Sequence, residues 1–232
     1  MGSNRSAQQR RALWAGRVLA VVPALILSVQ AATGALGANP IEALLNKLGW
    51  WALVLLTASL ACTPLRLVFG WTWLSRWRRT LGLGAFWYAT LHLGTYVGLD
   101  KFFAWDEIGD DLTKRPFIAV GFAAFLLLLL LALTSPARMV KRLGGARWRA
   151  IHRLAYVAAA LGLVHFFWRV KADLREPIVF ASILVTSLAV RIGSRLRARR
   201  NHRAGQGPRN EAPEEQPAQP SSRQAGRSMP SS

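Results

Sequence analysis

Residues 151–168 read "IHRLAYVAAALGLVHFFW", with histidines at 152 and 165, thirteen positions apart, and only Arg153 charged between them. In a water-soluble domain two such imidazoles would be ordinary core residues with satisfied hydrogen bonds. In lipid the same groups are expensive, and they mark ion paths, proton relays or cofactor ligands. The solvent of this segment therefore decides both the fold and the chemistry.

Composition identifies that solvent. Of 232 residues 52% are hydrophobic and ten are tryptophan, yet the formal net charge is +19. The two coexist because long stretches almost free of Asp, Glu, Lys and Arg alternate with short Arg-rich connectors. A helix crossing about 30 Å of hydrocarbon needs roughly 20 apolar residues. Residues 18–41, 48–65, 81–99 and 116–136 approach or exceed that length. Two shorter candidates, 151–168 and 177–190, are flanked by Arg149, Arg153, Arg169, Arg175 and Arg191, whose stems snorkel and lengthen a short span. The expectation is an all-α integral membrane bundle of six spans within residues 17–192, after a basic N-terminus, 1–16, and before a tail, 193–232.

Orientation follows from Lys and Arg. Arg5, Arg10 and Arg11, the connector with Arg66, Arg76, Arg78 and Arg79, and the connector with Arg138, Lys141, Arg142, Arg147 and Arg149 are basic and expected in the cytoplasm, with both termini. Residues 37–47 are near neutral, 100–115 are acidic on balance, and 169–176 are short and mixed, as expected on the outer side of the membrane. Arg10 and Arg11 before an apolar run and "SVQAATGA" also fit a cleaved signal peptide. That alternative is eliminated if the mature protein starts at Met1 or Ser3. The tail is Arg-, Pro-, Ser- and Gln-rich, too polar to offset ordering entropy, and is expected to be disordered. Its juxtamembrane arginines suit anionic lipid rather than nucleic acid, and His202 there is expected to be solvated.

Several chemistries are closed. Cys62, the single cysteine, permits no intrachain disulfide, CxxC pair or Cys-based zinc site. GxGxxG, Walker A and HExxH patterns are absent, so no nucleotide domain is expected.

Depth sorts the histidines. The third and fifth spans run in the same direction, and at 1.5 Å per residue His92 lies roughly 16 Å and His165 roughly 21 Å from their cytoplasmic ends. The two are nearly level, in the outer half of the membrane, and neutral imidazoles are standard axial ligands of haem iron. Gly82, Gly84, Ala155, Ala158, Ala159 and Gly162 would leave space for a macrocycle or, alternatively, allow close helix packing. His152 lies roughly 20 Å nearer the cytoplasmic end than His165 and about 140° from it around an ideal helix. A second haem, a quinone or flavin contact, and a structural hydrogen bond all suit it. The third span has no matching inner histidine; Arg78 and Arg79 stand there instead.

The runs "LGLGAFWYATLHLGTYVGLD", "LTKRPFIAVGFAAFLLLLLLALTS" and "RWRAIHRLAYVAAALGLVHFFWRVKAD" resemble the MsrQ family, also called YedZ, within the wider ferric-reductase-like transmembrane group. The resemblance covers most of 17–192 and leaves out the tail. It implies an inner-membrane electron-transfer subunit with b-type haem and FMN and without its own substrate-reducing site. It further implies electrons from the quinone pool, or from a cytosolic flavin reductase, delivered to the periplasmic molybdopterin subunit MsrP, which reduces methionine sulfoxide in proteins. Under this resemblance Arg78 and Arg79, with His152, are candidates for a quinone or flavin contact. Arg169, Lys171, Lys114 and Arg115 are candidates for haem propionates, or alternatively interfacial anchors. The wider group commonly carries two histidines on each of two helices, whereas this chain has one on its third span. A transporter with proton-relay histidines, another haem-containing reductase, and a passive membrane anchor are the competing readings.

Overall fold

Each segment expected to span falls on a helix, and two further helices occupy connectors expected to be loops. The computed structural model describes the backbone of residues 2–170 and 173–204, and the side chains of 14, 16, 18, 20–170 and 173–201. Among the described residues there is no strand. The helices are α1 (Gly2–Ala32), α2 (Pro40–Phe69), α3 (Leu74–Thr95), α4 (Trp105–Lys114), α5 (Pro116–Leu133), α6 (Ala137–Ile151), α7 (Leu154–Arg169) and α8 (Arg175–Ala204).

Local chemistry sets boundaries that hydropathy does not. α1 stops at Ala32, well short of 41, where Gly34 and Gly37 take positive φ values of 71° and 92°. α2 starts at Pro40 rather than 48. The Asn39 side chain accepts the Glu42 N–H at 3.3 Å and donates to Glu42 Oε2 at 3.0 Å, and Pro40 has no N–H to satisfy. Its end is equally defined: Gly70, at φ 71°, donates its N–H to Arg66 O. α3 runs into a π turn over Tyr96–Asp100, closed by Lys101 N–H donating to Tyr96 O at 2.9 Å. α8 continues through Ala204, past the expected start of the tail at 193, and 205–232 lie outside the described residues.

The bundle is antiparallel. α2 lies along α3 and α5 along α7, with α3 also meeting α5, α2 meeting α7, and α1 covering α3. Leu55, Leu60, Leu81, Ala85, Tyr88, Leu128, Leu131, Ala158 and Ala159 form the core. The small residues are spent on this packing. A Cβ on Gly84 would meet Leu55 at 3.2 Å and Ala20 at 3.3 Å, one on Gly82 would meet Ser59 at 3.3 Å, and Ala158 and Ala159 are fully enclosed. Outward faces are apolar as well: Val18, Leu25 and Val29 on α1, Leu126 and Leu133 on α5, and Ile178 and Val185 on α8 are exposed. Continuous apolar exterior on all sides is what lipid, not water, requires of a folded surface.

By length and apolarity alone three helices can cross a membrane, Pro40–Phe69, Pro116–Leu133 and Arg175–Asn201. A fourth is possible if α6 and α7, bent by 44°, act as one span. The expected first span contributes only the shorter apolar run Ala20–Ala32, and α3 carries Arg76, Arg78 and Arg79 in its first turns.

The two ends of the bundle differ in charge. At one end Tyr96 Oη donates to Asp111 Oδ2 at 2.8 Å, and Lys101 Nζ sits 3.0 Å from the same oxygen and 3.2 Å from Glu107. Arg115 Nε is 3.2 Å from Asp111 Oδ1, and Lys114 pairs with Asp110 at 2.6 Å. These contacts bind amphipathic α4 to the π turn. Between them Phe102 and Phe103 are held at φ 46° and 61°, a conformation bulky side chains rarely take. The other end carries Arg66, Arg78, Arg79, Arg149 and Arg191.

Burial alone would raise the Asp111 carboxyl, but the hydrogen bonds from Tyr96 and Lys101 and the nearby Lys101 and Arg115 charges outweigh it and hold the group below the usual aspartate value of 3.8. A depressed carboxylate contributes stability that is present above its unfolded value and lost as the folded group protonates. Unfolding of detergent-solubilised protein should therefore show stability falling as pH drops below 3.8. Asp111→Asn should lose about 3 kcal/mol at neutral pH and flatten that acid limb.

Candidate functional site

His92 on α3 and His165 on α7 come together: their ring centroids are 6.2 Å apart, with the planes at 82°. The counted depths thus correspond to real proximity. Each ring is fixed by a backbone carbonyl on a third or fourth helix. His92 Nδ1 lies 2.9 Å from Leu45 O in α2, and His165 Nδ1 lies 2.6 Å from Phe117 O in the first turn of α5. A carbonyl can only accept, so Nδ1 carries the proton in both rings and Nε2 keeps its lone pair. Hydrogen bonding at the far nitrogen is how proteins orient imidazole ligands to metals.

Two glycines make the approach possible. A Cβ at Gly121 would stand 2.6 Å from His165 Nδ1, and one at Gly49 would stand 3.2 Å from His92 Nδ1. Neither glycine was among the residues expected to make room. Hydropathy is blind to them; the available signal is a glycine inside an apolar span at the depth of a histidine.

Two neutral imidazoles, each with Nδ1 satisfied by a carbonyl, are a donor set that suits a metal ion. The 6.2 Å spacing leaves room for an ion between the rings. No group of three or more His, Cys, Asp or Glu gathers among the described residues. Among the described residues these two imidazoles are therefore the protein donors gathered here, and a metal they held would draw its remaining ligands from elsewhere.

At the acidic end a cavity of about 480 Å³ is lined by Lys47, Trp50, Trp51, Phe166 and Arg169, together with the carboxylates of Asp173 and Glu176. The Trp50 Nε1 donor is buried with no partner among the described residues. Arg169 is half-buried and makes no salt bridge among them. It stands within electrostatic reach of both histidines and of Glu42. Lys114 and Arg115, in contrast, are taken up by Asp110 and Asp111, and Lys171 lies outside the described residues.

His152 is not on α7. It caps the C-terminus of α6, at the bend before Leu154, so the ideal-helix angle to His165 does not apply. Its Nδ1 donates to Trp148 O at 3.2 Å, and its ring stacks on Trp148 at 4.0 Å. Arg78 lies within electrostatic reach of it. Arg79 turns elsewhere, donating from Nε to Ser135 Oγ at 3.3 Å. Arg191, read from sequence only as a snorkelling flank, instead donates to Tyr156 Oη at 3.2 Å and lies over that ring.

Residues 48–163 match the family described as ferric reductase like transmembrane component. A Rhodospirillum rubrum protein named protein-methionine-sulfoxide reductase heme-binding subunit MsrQ is 54% identical over 187 residues, covering 81% of this chain and 90% of its own. Proteins of the same name from Herminiimonas arsenicoxydans and Deinococcus radiodurans are 49% and 50% identical, covering 75% and 71% of this chain and 81% of each relative.

The two glycine contacts differ enough to be tested. Adding a methyl at Gly121 forces His165 off its carbonyl, whereas at Gly49 a few tenths of an ångström suffice. Thermal unfolding in detergent should show Gly121→Ala destabilised by about 1–3 kcal/mol. Gly49→Ala should lose less, because the alanine's better helix propensity, worth up to about 1 kcal/mol, offsets a smaller clash.

Proposed function

The chain belongs to the MsrQ branch of the ferric-reductase-like transmembrane family, and on that premise we propose that it is a b-type cytochrome subunit passing electrons across a bacterial inner membrane. The observation that carries this reading is the imidazole pair, level, 6.2 Å apart, and locked with both Nε2 lone pairs free. His92 and His165 would hold the iron of haem b through their Nε2 atoms. When bound, the haem supplies reversible one-electron chemistry in a site far from water.

The residues of the chain do the rest. Leu45 O and Phe117 O keep each ring in the ligating tautomer, and Gly49 and Gly121 let the carbonyls and rings approach. Arg169, with Lys47 and the free Trp50 N–H, offers donors to carboxylates at the acidic end. Of the four cations considered for haem propionates this leaves Arg169 best supported, since Lys114 and Arg115 already have aspartates.

Topology follows the positive-inside rule: six spans, the basic end and both termini cytoplasmic, the acidic end periplasmic. Electrons are taken up at the basic end, from the quinone pool or from FMN reduced by a cytosolic flavin reductase, near Arg78 and His152. They leave at the acidic end to the periplasmic molybdopterin subunit MsrP, in support of methionine sulfoxide repair. His152 then serves uptake or a second haem rather than the outer site.

His92→Ala and His165→Ala should each remove or convert the low-spin haem spectrum and stop electron delivery to the periplasmic side. His152→Ala should spare that component and either remove a different one or slow reduction by quinol. Reduced-minus-oxidised spectra with iron and flavin quantification measure all three. Unchanged low-spin spectra in both His92→Ala and His165→Ala proteins, inserted at normal levels, would sink the assignment. Independently, reporter fusions after Arg79, Arg149 and the tail should read cytoplasmic, and fusions within 100–115 periplasmic; a periplasmic tail contradicts the six-span arrangement.

A further inference from the structure

We propose that Phe102, Phe103 and Trp105 form an aromatic wedge seated in the phospholipid interface at the acidic end of the bundle, so that lipid holds the connection between α3 and α4 from outside. The segment reads "DKFFAWDE", Asp100 to Glu107, with three aromatic rings bracketed by charged residues on both sides. All three turn away from the protein: Phe102 is 76% exposed, Trp105 66% and Phe103 61%. Phe103 and Trp105 lean together with ring centroids 6.2 Å apart, and Phe103 passes over Gly98, where a Cβ would meet its ring at 3.6 Å. Phe102 makes no ring-to-ring contact among the described residues.

The backbone makes this exposure costly. Phe102 and Phe103 stand at φ 46° and 61°, a region that glycine enters freely and bulky side chains rarely do. Elsewhere among the described residues a positive φ falls on glycine, at Gly34, Gly37, Gly70 and Gly144. A connection that needed only to turn would carry glycine here as well. Instead the chain enforces the conformation on two phenylalanines: Lys101 N–H donates to Tyr96 O at 2.9 Å, Phe103 N–H to Val97 O at 2.9 Å, and Ala104 N–H to Lys101 O at 2.8 Å. Strain of this kind persists where the side chains serve a contact, and for Phe102 that contact is not inside the protein.

Continuity and charge identify what covers the rings. Along α3 and the π turn Trp87, Leu91 and Leu99 are exposed, part of the apolar exterior that lipid surrounds, and the wedge is the next exposed apolar group in the chain. Directly beyond it the surface turns polar: on α4 Asp106, Glu107, Asp110 and Lys114 are exposed, whereas Ile108 and Leu112 are half-buried. On an ideal helix Asp110 lies about 140° from Trp105, so α4 presents one face to lipid and another to water. Aromatic rings at such an edge settle between hydrocarbon and headgroups. The cations beside the patch are already taken, since Lys101, Lys114 and Arg115 all pair with carboxylates of the same connection, and what remains on offer is ring surface. Because Lys101 and Phe103 bond back to Tyr96 and Val97, a wedge held by lipid also fixes the depth of the π turn. The inference goes beyond the electron-transfer reading, does not use the histidine pair, and holds whichever leaflet the acidic end meets.

The test uses the full-length protein, with its haem content measured, in vesicles of phosphatidylethanolamine and phosphatidylglycerol. A nitroxide is placed on one introduced cysteine at a time, the native Cys62 being buried. Labels at Phe102→Cys and Trp105→Cys each leave two of the three rings in place. Both are expected to favour collision with oxygen, which partitions into lipid, over a water-soluble nickel chelate several-fold more than a label at Asp110→Cys on the polar face. Water-like accessibility at either position overturns the proposal; if the labels then become shielded on adding the periplasmic catalytic partner, the patch is a protein-docking surface instead. Phe102→Gly fits the positive φ without strain and removes no ring contact. In that background the label at 105 is expected to shift toward water, and an unchanged accessibility there, as a merely structural turn would give, also overturns the proposal. Should a cysteine variant fail to insert, quenching by lipids brominated near the headgroup, read as the difference between the unaltered protein and Trp105→Phe, decides the same question, and no difference counts against the wedge. In every case the haem spectrum reports separately on the electron-transfer reading.

Discussion

Two backbone carbonyls that accept protons from imidazole determine what this bundle can do. Inside a membrane a histidine has no water to satisfy its ring nitrogens, so one of them must find a protein acceptor or the ring is costly to keep there. Leu45 O and Phe117 O fill that need at 2.9 and 2.6 Å. They do more than lower a cost. By accepting the Nδ1–H hydrogen bond they keep the proton on Nδ1 and leave Nε2 as the reactive nitrogen on both rings, and by coming from α2 and α5 they tie all four central helices to one point. The glycines at 49 and 121 exist in the same geometry, because a methyl at either would press on the ring that the carbonyl holds.

Seen from this site, the division of charge between the ends has a structural logic. At the acidic end the carboxylates are consumed internally, most of all Asp111, which ties the π turn after His92 to α4 through Tyr96, Lys101 and Arg115. The π turn adds a residue to the helical repeat just past the histidine. It thereby directs Tyr96 toward α4 while His92, one turn earlier, faces α2 and α7. The strained backbone at Phe102 and Phe103 lies in the same connection and is held by the ladder it interrupts.

Much of this was legible before any coordinates. Alternating apolar and basic segments showed the solvent and the helices, and counting residues along spans running the same way put His92 and His165 level. What hydropathy cannot show is the direction in which a helix faces. Gly49 and Gly121 are ordinary small residues until the neighbouring ring is seen, whereas the more conspicuous Gly82, Gly84, Ala158 and Ala159 serve packing. The connectors holding α4 and α6 carried too many charges to register as apolar, although amphipathic helices at an interface need only one apolar face. His152 was assigned to a span because the apolar run begins beside it. The chain instead ends one helix at Ile151 and bends before starting the next, a break that no hydropathy average contains.

The difference between the two ends also explains why one is built from histidines and the other from arginines. A neutral imidazole with one nitrogen satisfied can sit deep in the bundle at modest cost, and what it lacks is only a Lewis acid. A guanidinium cannot shed its charge, so at the same depth it would need a permanent counter-ion. Arginines are therefore tolerable only where the hydrocarbon ends and an anion can arrive. Arg78 stands in the first turns of α3, toward the basic end, and that helix carries a single histidine, His92. His152 stands at the bend between α6 and α7, stacked on Trp148 rather than paired with a second imidazole.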